Sequence, residues 1–118
     1  IYTDAATLAP HAEALARLRI VIDHLGMTEA GLPVTCDLAR AGAKVKATGF
    51  GRVRLDPAAA LEAIAKAAPD ALMAATDLPS MRADRPFADA DIALIETVLG
   101  PALARRALHD TAAAFYRA

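Results

Sequence analysis

Three short strand-like runs in this 118-residue chain, two of them apolar, each lead into residues that can carry a charge or move a proton. Ile20-Val21-Ile22 leads into Asp23 and His24. Val45-Lys46-Ala47 leads into Thr48, then into Arg52 and Arg54 across Gly49-Phe50-Gly51. The run 71–75 leads into Thr76 and Asp77. Histidine is the usual proton carrier near neutral pH. A carboxylate activates water or ligates a metal. Arginine offers a planar fork to a substrate carboxylate. Brought to one rim, these groups would suit proton transfer on a small anionic molecule. Each also has a plainer reading: His24 as a loop or core hydrogen-bonder, Asp77 as a turn cap, Gly49 and Gly51 as a tight turn. Arg82 and Arg85 read as solvated loop charges. His11 and His109 have no partner at ligand spacing, and Cys36 reads as a packed small residue.

The elements that must position these groups are strands alternating with helices. Residues 19–23, 43–48 and 71–75 read as strands, the first and third as buried apolar runs. Helical spacing runs over 8–18, capped by Asp4 or Thr7, with Pro10 admissible only in its first turn. A short helix over 34–40 closes at Gly42. Asp56-Pro57 starts a helix whose inward stripe is Leu61, Ile64, Ala65 and Ala68. Asp89 or Asp91 caps another, with Ile92, Ile95 and Leu99 on one face, ended by Gly100-Pro101. Two helical pieces, 102–107 and 110–117, finish the chain. In a parallel α/β fold the carboxyl ends of the strands form the working rim. Neighbouring strands are spaced like the βα units of a barrel of about 250 residues. This chain supplies three, so residues 1–118 read either as a small open sheet or as part of something larger.

Composition narrows the partners. With 13 basic and 14 acidic residues the net charge is -1, which leaves no electrostatic footprint for nucleic acid or an anionic membrane. A single cysteine excludes an intrachain disulfide and a Cys-x-x-Cys zinc site, and fits a reducing, cytoplasmic setting. No apolar run approaches the roughly 20 residues that span a bilayer. The chain opens at Ile1, which reads as a processed product or as part of a longer polypeptide.

Five stretches stand in a particular order: Ile20-Val21-Ile22-Asp23-His24-Leu25-Gly26, Val45-Lys46-Ala47-Thr48-Gly49-Phe50-Gly51-Arg52-Val53, Ala75-Thr76-Asp77-Leu78-Pro79-Ser80, Arg85-Pro86-Phe87, and Leu108-His109-Asp110-Thr111 running on to Arg117. From about Leu15 onward the chain resembles the C-terminal part of the amidohydrolase-related family, TIM-barrel hydrolases that include 2-pyrone-4,6-dicarboxylate lactonases. The resemblance implies an α/β fold in which the three strands are the sixth, seventh and eighth of a (β/α)8 TIM barrel. It implies that Asp77 is the strand-eight aspartate, a metal ligand where a metal is bound and the general base toward water. It makes His24 the strand-six histidine and Arg52 a substrate-binding arginine. Either a divalent metal such as zinc or no metal at all is consistent with it. The family's closing Asp-Asn is Asp110-Thr111 here, a change in a structural segment. Its strand-one His-x-His pair, and the groups of its strands four and five, have no counterpart in these residues.

The expectation is a hydrolase acting on a lactone or similar bond of a small carboxylated molecule. The rest of the barrel would come from an N-terminal segment or a second chain, and a homo-oligomer is compatible with the sequence. The competing readings are a non-catalytic small α/β binding module and a decarboxylase on the same scaffold.

Overall fold

The computed structural model describes residues 1–117. Its centre is a parallel sheet of β1 (Val21–Ile22), β2 (Lys44–Ala47) and β3 (Leu72–Ala74), in that order. Ile22 pairs with Val45, and Val45 with Leu72. Side chains alternate along a strand, so Ile22, Val45, Ala47 and Leu72 share one face, and all four are buried. Lys44 and Lys46 lie half-buried on the other. The strands are shorter than the apolar runs suggest. Beyond β1, the Ile1 nitrogen donates to Val21 O at 2.5 Å and Asp23 N to Ile1 O at 2.9 Å. That is the bonding pattern of a parallel pair with Ile1 opposite Ile22.

Three helices cover the apolar face. Helix α2 is Leu32–Arg40, α3 is Pro57–Ala67 and α4 is Asp89–Arg105. Asp56 caps α3 by accepting from Ala58 N at 2.9 Å, with Pro57 in the first turn, as the dipeptide predicts. Ile22, Leu38, Val45, Leu61 and Ile64 are fully buried between the layers. Burial of each such side chain contributes about 1.5–3 kcal/mol. Much of the remaining core is alanine, including Ala39, Ala60, Ala65 and Ala104, which lets helices and sheet approach closely. Cys36 is among these packed residues, as expected.

Two helices depart from the sequence reading. The first begins as a 3-10 helix over Ala5–His11 and becomes α1 only at Ala12–Leu15. Pro10 lies inside the 3-10 stretch, and its missing N–H removes an i to i−4 bond there. Asp4 is the cap, accepting from Ala6 N at 2.9 Å. In α4, Gly100 (φ 73°) and Pro101 produce a kink where an end was expected, and helix resumes at once. A π-helical turn, Arg106–Asp110, leads into α5, Thr111–Tyr116. Among the described residues no helix is long and apolar enough to cross a membrane.

Candidate functional site

The polar cluster sits where the strands end. After β1 the chain turns left-handed at His24 (φ 50°) and Leu25 (φ 55°). After β3 it does so again at Asp77 (φ 57°). Non-glycine residues seldom adopt this conformation, and they concentrate at functional sites. It interrupts the strand alternation and directs both side chains into one place. The loop after β2 closes with Arg52 N donating to Gly49 O at 2.8 Å. Gly49 (φ 63°) must lack a side chain, because a Cβ there would lie 2.5 Å from His24 Nδ1. Gly51 is needed for a different reason: its Cβ would strike the Arg85 carbonyl, while its own carbonyl accepts from Asp84 N at 2.8 Å.

His24, Arg52 and Asp77 come together, as their places in the sequence predict. Asp77 Oδ2 accepts from Arg52 Nε at 2.9 Å and pairs with its Nη2 at 2.7 Å. Arg52 Nη2 also donates to Met81 O at 3.0 Å. His24 Nε2 lies 4.0 Å from Asp77 Oδ1, the carboxylate oxygen that Arg52 leaves free. His24 Nδ1 is 2.7 Å from Thr48 Oγ1. The Thr48 hydroxyl either donates or accepts, so it accommodates both tautomers of the imidazole.

Burial dominates the ionisation of His24 and pulls its pKa below the ordinary value. Asp77 opposes this, Arg52 reinforces it, and Asp23 opposes it more weakly. The ring is therefore neutral at neutral pH. Burial works to lower the pKa of Arg52, but its bonds to Asp77 and Tyr2 outweigh that and raise it, so it is a permanent cation. An oxygen atom lying between His24 Nε2 and Asp77 Oδ1 is within hydrogen-bond reach of both, which suits activation of water.

Tyr2 was not singled out in the sequence. Its ring stands edge-on to the His24 ring, with centroids 5.3 Å apart at 89°. Its hydroxyl faces Arg52 Nη1 at a long 3.5 Å. No local pattern marks it. Its position follows from Ile1 pairing beside β1, which brings the next residue to the common rim.

The other candidates sit apart from Asp77. Asp23 Oδ1 is 3.0 Å from Lys46 Nζ on the open face of the sheet. Arg54 pairs with Asp84 at 3.0 Å in an exposed contact. Arg82 is exposed, as expected. Arg85, by contrast, is no free loop charge: its two terminal nitrogens meet the two oxygens of Asp91 at 2.6 and 3.0 Å. Burial of Asp91 works to raise its pKa, but Arg85 and the Ala88 N–H hold it below the ordinary value. This fork ties the loop after β3 to the first turn of α4. A cavity of about 180 Å3 lies between the ends of β2 and β3 and α4, lined by Phe50, Phe87, Ile92 and Ile95 among others. It touches Thr48 but not His24, Arg52 or Asp77, so that cluster lies beside it.

Catalytic zinc sites take three protein ligands. Among the described residues no group of three His, Cys, Asp or Glu side chains gathers. His24 and Asp77 offer two donors, and Arg52 already occupies one Asp77 oxygen. These residues do not make up a metal centre on their own.

Comparison with known proteins follows the same direction. No curated protein and no solved structure matches the chain. A family model described as amidohydrolase, of amidohydrolase family 2, matches residues 1–118. Its members are generally hydrolytic enzymes. The chain belongs to the amidohydrolase family.

Proposed function

We propose that this chain forms the last three βα units of a TIM-barrel hydrolase that opens a lactone or similar bond of a small carboxylated molecule. One observation carries the reading: His24, Arg52 and Asp77, from three separate strand ends, converge with a free carboxylate oxygen 4.0 Å from a neutral imidazole nitrogen. Family membership supports hydrolysis in general. The parallel sheet, covered by helices on one face and charged on the other, supports the barrel. So does Ile1, which pairs beside β1 as a further parallel strand would. The remaining strands come from residues outside this chain.

Asp77 Oδ1 takes the proton of the attacking water as that oxygen adds to the carbonyl carbon. His24 polarises the carbonyl or relays the proton from Asp77 to the departing oxygen. Arg52 holds Asp77 in place through Nε and Nη2, and Nη1 remains to meet a substrate anion. The test is turnover of a panel of lactones by the complete protein and its Asp77→Asn variant. General-base catalysis contributes about 10²–10⁴-fold, so Asp77→Asn should lose about a thousandfold in kcat. Full activity in that variant refutes the assignment.

A further inference from the structure

We propose that Lys46 is a second substrate contact, taking a carboxylate at the floor of the site below Thr48. This rests on the hydrolytic reading of the Asp77 cluster. Lys46 lies in the middle of β2, and its neighbours Val45 and Ala47 point into the core. By alternation it shares the opposite face with Thr48, the residue bonded to His24. Two residues along a parallel strand span about 6.6 Å, so Lys46 is one pleat deeper than the His24–Thr48 pair. A small molecule whose reacting bond lies at Asp77 reaches both levels.

The ammonium is held in place there. Lys46 Nζ contacts Asp23 Oδ1 at 3.0 Å across the β1–β2 pair, where a free lysine would extend its head toward bulk water. An ammonium has three donors, and Asp23 is its one partner among the described residues. The Asp23 contact therefore leaves donors of the ammonium without a partner among the described residues. Arg52 is more fully engaged, with Nε and Nη2 bonded to Asp77 and Met81 and only Nη1, 3.5 Å from the Tyr2 hydroxyl, left over. The Asp23–Lys46 pair is neutral overall. Recognition there rests on directed hydrogen bonds, and the effect of losing it is moderate. If the pair is only a cross-strand tie, its loss changes stability and nothing else.

The experiment compares a five-membered lactone bearing one carboxylate with its methyl ester, on the complete protein and its Lys46→Met and Lys46→Arg variants. A lost charge-assisted hydrogen bond weakens binding by about ten- to a hundredfold. Lys46→Met should raise KM for the carboxylate by that factor, leave kcat within about twofold, and leave the methyl ester unaffected. Lys46→Arg should restore most of the loss. Unchanged KM, or equal changes for both lactones, overturns the proposal. Calorimetric titration with the carboxylated lactone separates the two ideas. If the wild type binds it but hydrolyses neither compound, the hydrolytic reading fails, and the same tenfold weakening in Lys46→Met still upholds the Lys46 contact. No binding by the wild type overturns both.

Discussion

Replacing Gly49 with alanine tests whether the geometry of the site rests on one missing side chain. Two costs follow. At φ 63° an L-residue with a Cβ is strained by about 1–2 kcal/mol. The new Cβ would also lie 2.5 Å from His24 Nδ1 and 3.1 Å from Arg52 Cγ and Cδ. His24 is buried, so the imidazole has to leave Thr48, forfeiting a buried hydrogen bond worth about 1 kcal/mol. Together these give about 2–3 kcal/mol of destabilisation. Displacing His24 from Asp77 should cut turnover by about a hundredfold or more. Gly42 supplies the control. It also has a positive φ, 107°, but nothing lies within 4 Å of its Cβ position. Gly42→Ala should show the strain alone, with turnover intact. Urea unfolding of the complete protein gives the stabilities, and the His24 imidazole resonances report displacement directly. A Gly49→Ala protein with stability within about 0.5 kcal/mol of wild type and unshifted His24 resonances would refute the reasoning.

Two further outcomes follow from the same contacts. Asp91→Asn leaves the Arg85 fork facing a neutral amide. It should cost about 1–3 kcal/mol and speed amide exchange in the loop after β3. Because the folded-state pKa of Asp91 is lowered, its stabilising effect is present above the ordinary carboxylate range and fades as pH falls through the folded value, so wild type and variant should converge in acid. His24 titrates with the same sense of shift but belongs to a base. Its folded pKa is lowered by burial, so the unfolded chain binds the proton more readily. Stability should therefore fall as pH drops through about 6.5, the ordinary imidazole value, and a His24→Gln variant should lack that part of the slope.

The strand ends were the most legible part of the sequence. His24 and Asp77 each lie one residue past an apolar run, and the carboxyl end of a strand in a parallel sheet stands at the rim. The Asp56-Pro57 helix start was equally plain, because cap and first turn are local chemistry. What stayed hidden depends on contacts across the fold. Tyr2 reaches the site because Ile1 pairs beside β1, and nothing near Tyr2 records that. Arg52 looked free for a substrate, yet most of its fork is taken by Asp77, 25 residues along the chain. Arg85 and Asp91 are close in sequence, but only the folded loop makes them a fork. The 3-10 form of the first helix was signalled by Pro10, whose effect extends beyond the one turn allowed for it.

The register of the sheet also sets the order in which this site can come into being. Each strand pairs with a partner a whole βα unit away, Ile22 with Val45 and Val45 with Leu72. Such pairings close long loops before any contact rewards them, which makes folding slow relative to helix formation. The left-handed backbones at His24 and Asp77 are unfavourable in isolation and are held only by the neighbours that the sheet delivers. The His24–Asp77 contact therefore requires β3 to have docked. A folding intermediate with β1 and β2 paired would show helices and an apolar core but an unformed carboxylate–imidazole contact. Recovery of activity on refolding should lag behind recovery of helical signal, and the lag measures the docking of β3.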